Sequence, residues 1–247
     1  MLIALWPELI ASQDPTLAQP RERLLPPSAE HLFGTDSIGR DQFARVAHGT
    51  LPSLRAGLIA VSIGLVGGGL LGLVSGFSRG PLDLAIARLC DALLAIPGLL
   101  MALAFLTAIG SGVTVAACAI GIAQMPVFAR VMRAEVKRVS ALPYTEAAAA
   151  AGVGPVATAV RHVLPNSWGP VLALAALECG QAILILSSLS YLGFGEPPPA
   201  PEWGALIAAG QSYLAVQWWL AVLPGVVLAA MVIAITRLGH AARRNDR

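Results

Sequence analysis

The stretch LRAGLIAVSIGLVGGGLLGLVSGF, Leu54 to Phe77, decides the fold class. After Arg55 it holds no charge, and it is long enough to cross the hydrocarbon core of a bilayer, which takes roughly 20 mostly apolar residues. Its glycines, Gly57, Gly64, Gly67, Gly68, Gly69 and Gly72, suit a membrane helix that lets a neighbour approach closely. Four more runs of spanning length follow: about Leu89 to Ile109 (with Asp91 and Pro97 inside), Val113 to Val131, Val171 to Leu192 (with Glu178), and Trp218 to Ile235. The chain of 247 residues is 56% hydrophobic and 12% charged. A soluble domain carries about 25% charged residues, so most of this surface does not face water. The expected fold is an all-α polytopic membrane protein with five full spans.

The N-terminus differs. Met1 to Ala11 is apolar but short, with Pro7 and Glu8 inside, and it lacks the basic start and cleavage site of a signal peptide. At about 1.5 Å per residue such a helix covers roughly half a bilayer core. It reads as the end of a truncated first span or as a short interfacial helix, and the first is preferred. Ser12 to Thr50 is rich in proline and turn formers, and Asp41 to His48 reads as a short amphipathic surface helix. A second polar connection, Gly193 to Gln217, carries Pro197, Pro198, Pro199 and Pro201, which favour extended backbone; Ala205 to Tyr213 reads as a re-entrant or surface helix.

Basic residues set the expected orientation. Residues 78–88, 132–170 and the tail after Thr236, with Arg130, hold eleven arginines and lysines; residues 1–55, 110–112 and 193–217 hold five, all within the first segment. The first set is expected to be cytoplasmic, with the C-terminus inside and Trp218 and Trp219 at the outer interface. The domain reading is therefore 1–53 for the truncated span and outer (periplasmic) segment, 54–240 for the transmembrane domain including loop 132–170, and 241–247 for a cytoplasmic tail.

Loop 132–170 carries the informative pattern: a helix of alanines 147 to 151 opened by Thr145 as cap and Glu146 in its first turn, a break at Gly152 and Gly154, a second short helix over Ala157 to Val163, and a stop at Pro165. Such a helix pair is compact enough to dock in a groove of another protein. The run Glu146-Ala147-Ala148, three residues, Gly152, nine residues, His162, one residue, Leu164-Pro165 resembles the signature of bacterial ABC importer permeases, with His162 where that family usually has an aliphatic residue. The resemblance implies that this loop couples the chain to the cleft of an ATPase subunit.

Further stretches narrow the likeness. Gly34-Thr35-Asp36-Ser37-Ile38-Gly39-Arg40-Asp41 looks like the Gly-Thr-Asp-x-x-Gly-Arg-Asp stretch of the second permease subunit of dipeptide, oligopeptide and nickel importers. Asp83, Arg88, Asp91 and Pro97 match that subfamily before its third span, and Leu189 to Gly195 followed by Glu202-Trp203-Gly204 matches its Leu-Ser-Phe-Leu-Gly-x-Gly and Trp-Gly stretch. The likeness covers residues 14 to 240. It implies the type I ABC importer transmembrane fold, a place in the bacterial cytoplasmic (inner) membrane, and four kinds of partner: a related permease subunit as heterodimer, two ATP-binding subunits, an extracytoplasmic substrate-binding protein and the bilayer. Leu186 stands where many peptide importers carry an acid; Glu178, two turns earlier, tilts the substrate toward nickel or a metal chelate, with peptide and opine-type chelates open.

Glu178 and Gln181, with Ser187 and Ser188, are the substrate-path candidates, weighed against pairing with a partner subunit for the acid and bonding back to the helix for the serines. Asp36, Arg40, Asp41 and Trp203 are outer docking candidates, with bracing of the outer segment as the equal alternative for the three charged residues. Asp83, Arg88 and Asp91 read as a local ion-pair network. Cys90, Cys118 and Cys179 lie in apolar runs as packing residues, and no metal or cofactor is expected: the four histidines lack zinc spacing. No Gly-x4-Gly-Lys-Ser/Thr loop occurs, so ATP would be hydrolysed by partners and the chain is expected not to be an enzyme. An intramembrane protease has no Gly-x-Ser-Gly or His-Glu-x-x-His to work with. A secondary transporter working without ATPases, the alternative reading, would show an inverted repeat, and none is seen.

Overall fold

The computed structural model describes residues 6–11, 13–78, 80–197 and 199–245. Among them the regular structure is helical, with an isolated bridge between Thr35 and Asp41 in place of any sheet. The long elements are α1 (Gln42–Phe77), α2 (Pro81–Leu94), α3 (Gly98–Ile109), α4 (Val113–Ser140), α5 (Pro143–Ala150), α6 (Pro155–Thr158), α7 (Leu164–Tyr191), α8 (Trp203–Gln211) and α9 (Trp219–Asn245). Among the described residues, four helical segments are long and apolar enough to cross a membrane: α1, α4, Pro155–Tyr191 and Trp219–Arg237.

The expected span 89–109 takes a different form. Its chain is two helices, α2 and α3, bent by 89° at the break before Gly98. Pro97 has no N–H to offer a continuing helix and biases the residue before it away from helical backbone. At 12 residues α3 is about 18 Å long, short of a bilayer core taken alone. The expected separate surface helix at Asp41–His48 is corrected. Gln42 to Phe77 is one helix of 36 residues running through Pro52, and Asp41 is its cap, its Oδ1 accepting the Ala44 N–H at 2.6 Å. Of the N-terminal run, Met1 to Leu5 lie outside the described residues; Pro7–Leu9 is a single 3-10 turn.

Two compact units divide the chain. The first takes the described residues up to Leu58, then Leu103–Ala117 and Gly180–Ala234; the second takes Ile59–Ala102, Cys118–Cys179 and the described residues from Ile235 on.

The first unit is organised by polar contacts. Asp36 accepts from the Ile38 and Arg40 amides at 2.9 Å on one oxygen, and from Arg40 Nε (2.7 Å) and Arg45 Nη1 (2.5 Å) on the other. The tight loop these bonds close needs Gly39 at φ +84°, a left-handed conformation open to glycine. Trp203 is wholly buried, and its indole N–H donates to Val46 O at 3.0 Å. Gln42 Nε2 donates to Leu220 O, also at 3.0 Å. These bonds tie the start of α1 to α8 and α9.

The second unit is organised by apolar contact. The glycine stripe of α1 faces α4 so closely that a Cβ on Gly67 would lie 2.6 Å from Met125 Cε, and one on Gly76 2.6 Å from Val136 Cβ. Phe128, Met132 and Val136 are fully buried along this seam. Close backbone approach through small residues is how membrane helices associate without a hydrophobic force between them.

Candidate coupling site

The helical knuckle between α4 and α7 is built as follows. Pro143 opens α5, its fixed φ suiting the first helical position. The helix thus starts two residues before Thr145, which is not its cap as expected. Thr145 is buried, its hydroxyl donates to Val139 O at 3.0 Å, and its N–H bonds to Leu142 O. The hydroxyl bond fastens the knuckle to the last turn of α4. Gly152, at φ +85°, ends α5, and the Val153 N–H returns to Ala148 O at 3.1 Å in a Schellman pattern. Nothing lies within 4 Å of where a Cβ on Gly152 would point.

The expected stop at Pro165 is also corrected. The chain from Pro155 runs helically to Tyr191, and Ala159–Val163 forms a π-helical turn in which the Leu164 N–H reaches back five residues to Ala159 O. This wider turn immediately precedes Pro165 and carries the helix into the residue that was expected to end it. Such turns mark functional sites often.

The structure places the sequence candidates as follows. Glu146 and Ala147 are exposed on α5, with Ala148 half-buried; Gly152 is exposed just beyond; His162 and Leu164 are half-buried at the π turn, and Pro165 is exposed. Around them lie large apolar side chains in the open that the motif does not name: Tyr144 (44% exposed), Val156 (75%) and Val160 (57%). Val156 and Val160 lie about one turn apart, close in sequence to the open space beside Gly152.

On α7, Glu178 is half-buried, Gln181 is exposed, Ser187 is buried, and the exposed Ser188 donates to Leu184 O at 2.8 Å, the helix back-bond weighed above. Gln124, a polar residue buried within α4 that the sequence reading missed, donates to the Glu178 carbonyl at 2.9 Å. Its signal was a lone amide in the apolar run 113–131.

The outer candidates are turned inward. Asp36 and Asp41 are buried; Arg40 bonds Asp36; Trp203 has no exposed surface. The bonds these residues make are to other residues of the first unit. Burial raises the Asp36 carboxyl, but the Arg40 and Ile38 amides and the Arg40 guanidinium outweigh it and hold it below the usual carboxylate range. Glu202 shows the opposite balance: burial pushes its carboxyl up, against bonds from the Ser190 hydroxyl and the Glu196 N–H. The ion pairs of α2 also differ from a local network. Asp83 pairs with Arg133 and Lys137, and Asp91 with Arg130, all on α4.

Apolar helices of membrane-spanning length, two of them joined by a short helical knuckle, define the class of polytopic membrane proteins. A family model described as "Binding-protein-dependent transport system inner membrane component" matches residues 68–244. The chain is 36% identical over 98% of its length to the "Probable D,D-dipeptide transport system permease protein DdpC" of Escherichia coli K12, covering 82% of that protein. It is 39% identical to the "Di/tripeptide transport system permease protein DppC" of Pseudomonas aeruginosa UCBPP-PA14 (97% of this chain, 81% of that protein). It is 36% identical to the "Glutathione transport system permease protein GsiD" of Pectobacterium atrosepticum (98% and 80%). In solved structures the fold is similar to that of an amino acid ABC transporter (TM-score 0.65, 18% identity, 81% of this chain and 94% of that one) and of the MetNI methionine ABC transporter in inward-facing form (TM-score 0.67, 16% identity, 81% and 95%). The chain belongs to the family of inner membrane components of binding-protein-dependent transport systems. It is a multi-pass permease subunit of the ABC importer class.

Proposed function

We propose that the chain forms half of the translocation pathway of an ATP-driven peptide importer, paired with a related permease subunit. The knuckle, Glu146 to Pro165, sits in the cleft of one of two cytoplasmic ATPases. The observation that carries this reading is the knuckle's construction: hydrogen-bonded to α4, helical through into α7, and exposing Tyr144, Val156 and Val160. Closure of the ATPases would move the knuckle and rock α4 and α7 between inward- and outward-open states. Relatives named for D,D-dipeptides, di- and tripeptides and glutathione support a peptide substrate over nickel, against the tilt read from Glu178. Glu178, Gln181, Ser187 and Ser188 remain the pathway candidates on α7. The excess of arginine and lysine on 78–88, 132–170 and the tail supports a cytoplasmic C-terminus. An extracytoplasmic binding protein would deliver substrate to the opposite face. Because Asp36, Asp41 and Trp203 are buried, the surface it meets is made by their exposed neighbours, Leu32 and Ile38 among them.

The test compares Gly152→Ala with Gly152→Trp. Both place an L-residue at φ +85° and meet the same backbone strain, of order 1–2 kcal/mol. Only tryptophan protrudes into the space beside the glycine. Substrate-stimulated ATP hydrolysis and uptake by the assembled transporter should fall with Gly152→Trp and persist with Gly152→Ala. Equal activity of the two variants would sink the docking reading.

A further inference from the structure

The amphipathic helix α2 is poorly held by apolar contact within its own chain. Cys90 is its one buried residue, while Leu82, Leu84 and Leu89 are more than half exposed. What fixes it is a carboxylate. Asp83 Oδ1 accepts from Ser75 at the end of α1 (2.6 Å) and from Arg133 Nε (2.6 Å); Oδ2 accepts from Arg133 Nη2 (2.9 Å) and Lys137 Nζ (2.6 Å). The guanidinium is bidentate, the strong and geometrically specific form of this contact. Ser75 has no exposed surface and the Asp83 side chain is 14% exposed, while the Arg133 and Lys137 side chains that meet it reach the surface.

Arg133 and Lys137 lie on the last turns of α4. Two residues beyond Lys137 is Val139, whose carbonyl holds the Thr145 hydroxyl of the knuckle. α1 is locked to α4 along the glycine seam. The knuckle, the end of α4 and the end of α1 are therefore one body. The bonds of Asp83, with the exposed Asp91–Arg130 pair at 2.7 Å, are the polar ties that add α2 to it.

We propose that Asp83 is a positioning residue of the transport cycle: it makes α2, and the 89° elbow that follows it, move with the knuckle instead of lagging behind it. Exposed single ion pairs contribute little, so Asp91–Arg130 cannot substitute. The inference rests on the coupling reading above. It adds that a joint some distance along the chain from the knuckle decides how much of an ATPase stroke reaches α2.

The experiment uses the assembled transporter in lipid nanodiscs, with its ATPases and loaded binding protein. Asp83→Asn keeps the shape and the Ser75 bond and loses the charge. Transport per ATP hydrolysed should drop by roughly 2- to 30-fold, the range of couplings that such remote positions carry, with basal ATP hydrolysis retained. Asp83→Glu should recover part of it, and Lys137→Gln should lose less than Asp83→Asn. Spin labels on the exposed Leu84 and Arg138 report the joint directly. In the wild type the α2–α4 distance should stay fixed between nucleotide-free and ATP-trapped states, and in Asp83→Asn it should broaden. A wild-type distance that changes between states, or unchanged transport per ATP in Asp83→Asn, overturns the proposal. If Gly152→Trp uncouples while Asp83→Asn does not, the joint falls and the docking reading stands; if neither does, the docking reading falls.

Discussion

Residues 13–50 of the first unit and the knuckle of the second unit use their side chains in opposite ways. Within residues 13–50 a set of charged groups turns inward: Asp36 gathers Arg40 and Arg45, and His31 and Asp41 bond at 2.9 Å. In the knuckle the apolar groups turn outward, at Tyr144, Val156 and Val160, while the backbone is held by Thr145 and by a glycine cap. A motif of charged residues can thus be consumed by its own fold, while a stretch of alanine and glycine leaves its apolar neighbours exposed.

That contrast is breakable. The largest effect on stability should come from Asp36→Ala, which leaves Arg45 buried without its counter-charge; about 3–5 kcal/mol is expected, read as a lowered Tm of the purified chain. The same carboxylate sets a pH limb. Its pKa is depressed in the folded protein, so its stabilisation is present above the unfolded value of 3.8 and is lost as pH falls through the folded value. Acid unfolding should flatten in Asp36→Asn, and an unchanged acid limb would remove Asp36 from the account. Next comes Trp203→Phe, which puts a smaller ring in a fully buried site and removes the indole bond to Val46 O, a carbonyl that still accepts from the Thr50 hydroxyl, at about 1–3 kcal/mol. Thr145→Val should cost about 1 kcal/mol in Tm, and it should also lower substrate-stimulated ATP hydrolysis, because the knuckle loosens from α4. Smallest in stability is Val156→Ser, within about 0.5 kcal/mol since the side chain is 75% exposed, yet it should weaken co-purification with the ATPase. A Val156→Ser variant that loses Tm but keeps its partner would reverse the contrast.

Composition and run length were enough to read the helical membrane class, because hydrocarbon leaves helices few alternatives. The Glu146-to-Pro165 pattern was legible for a similar reason: alanine, glycine and proline act on their own backbone, over a few residues. What was not legible needed partners far along the chain. Asp83 finds Arg133 and Lys137, 50 and 54 residues on, so the guess of a network within 83–91 missed the helix that supplies the charge. Hydropathy placed 89–109 in the membrane but carries no information on direction, so the 89° bend was invisible. It also separated Asp41–His48 from the span that follows, because Arg45 and His48 look solvated until Asp36 is known to cover the first of them.

The π turn at Ala159–Val163 has a consequence for how this helix tolerates length changes. A π turn absorbs one extra residue locally, so the flanking segments keep their azimuths. A helical wheel drawn without a break from Pro155 to Tyr191 therefore assigns one end to faces wrong by about 100°. Removing a single residue inside the turn should leave both flanks facing as they do. The same deletion near Ala182 would rotate half the helix and misdirect every side chain beyond it.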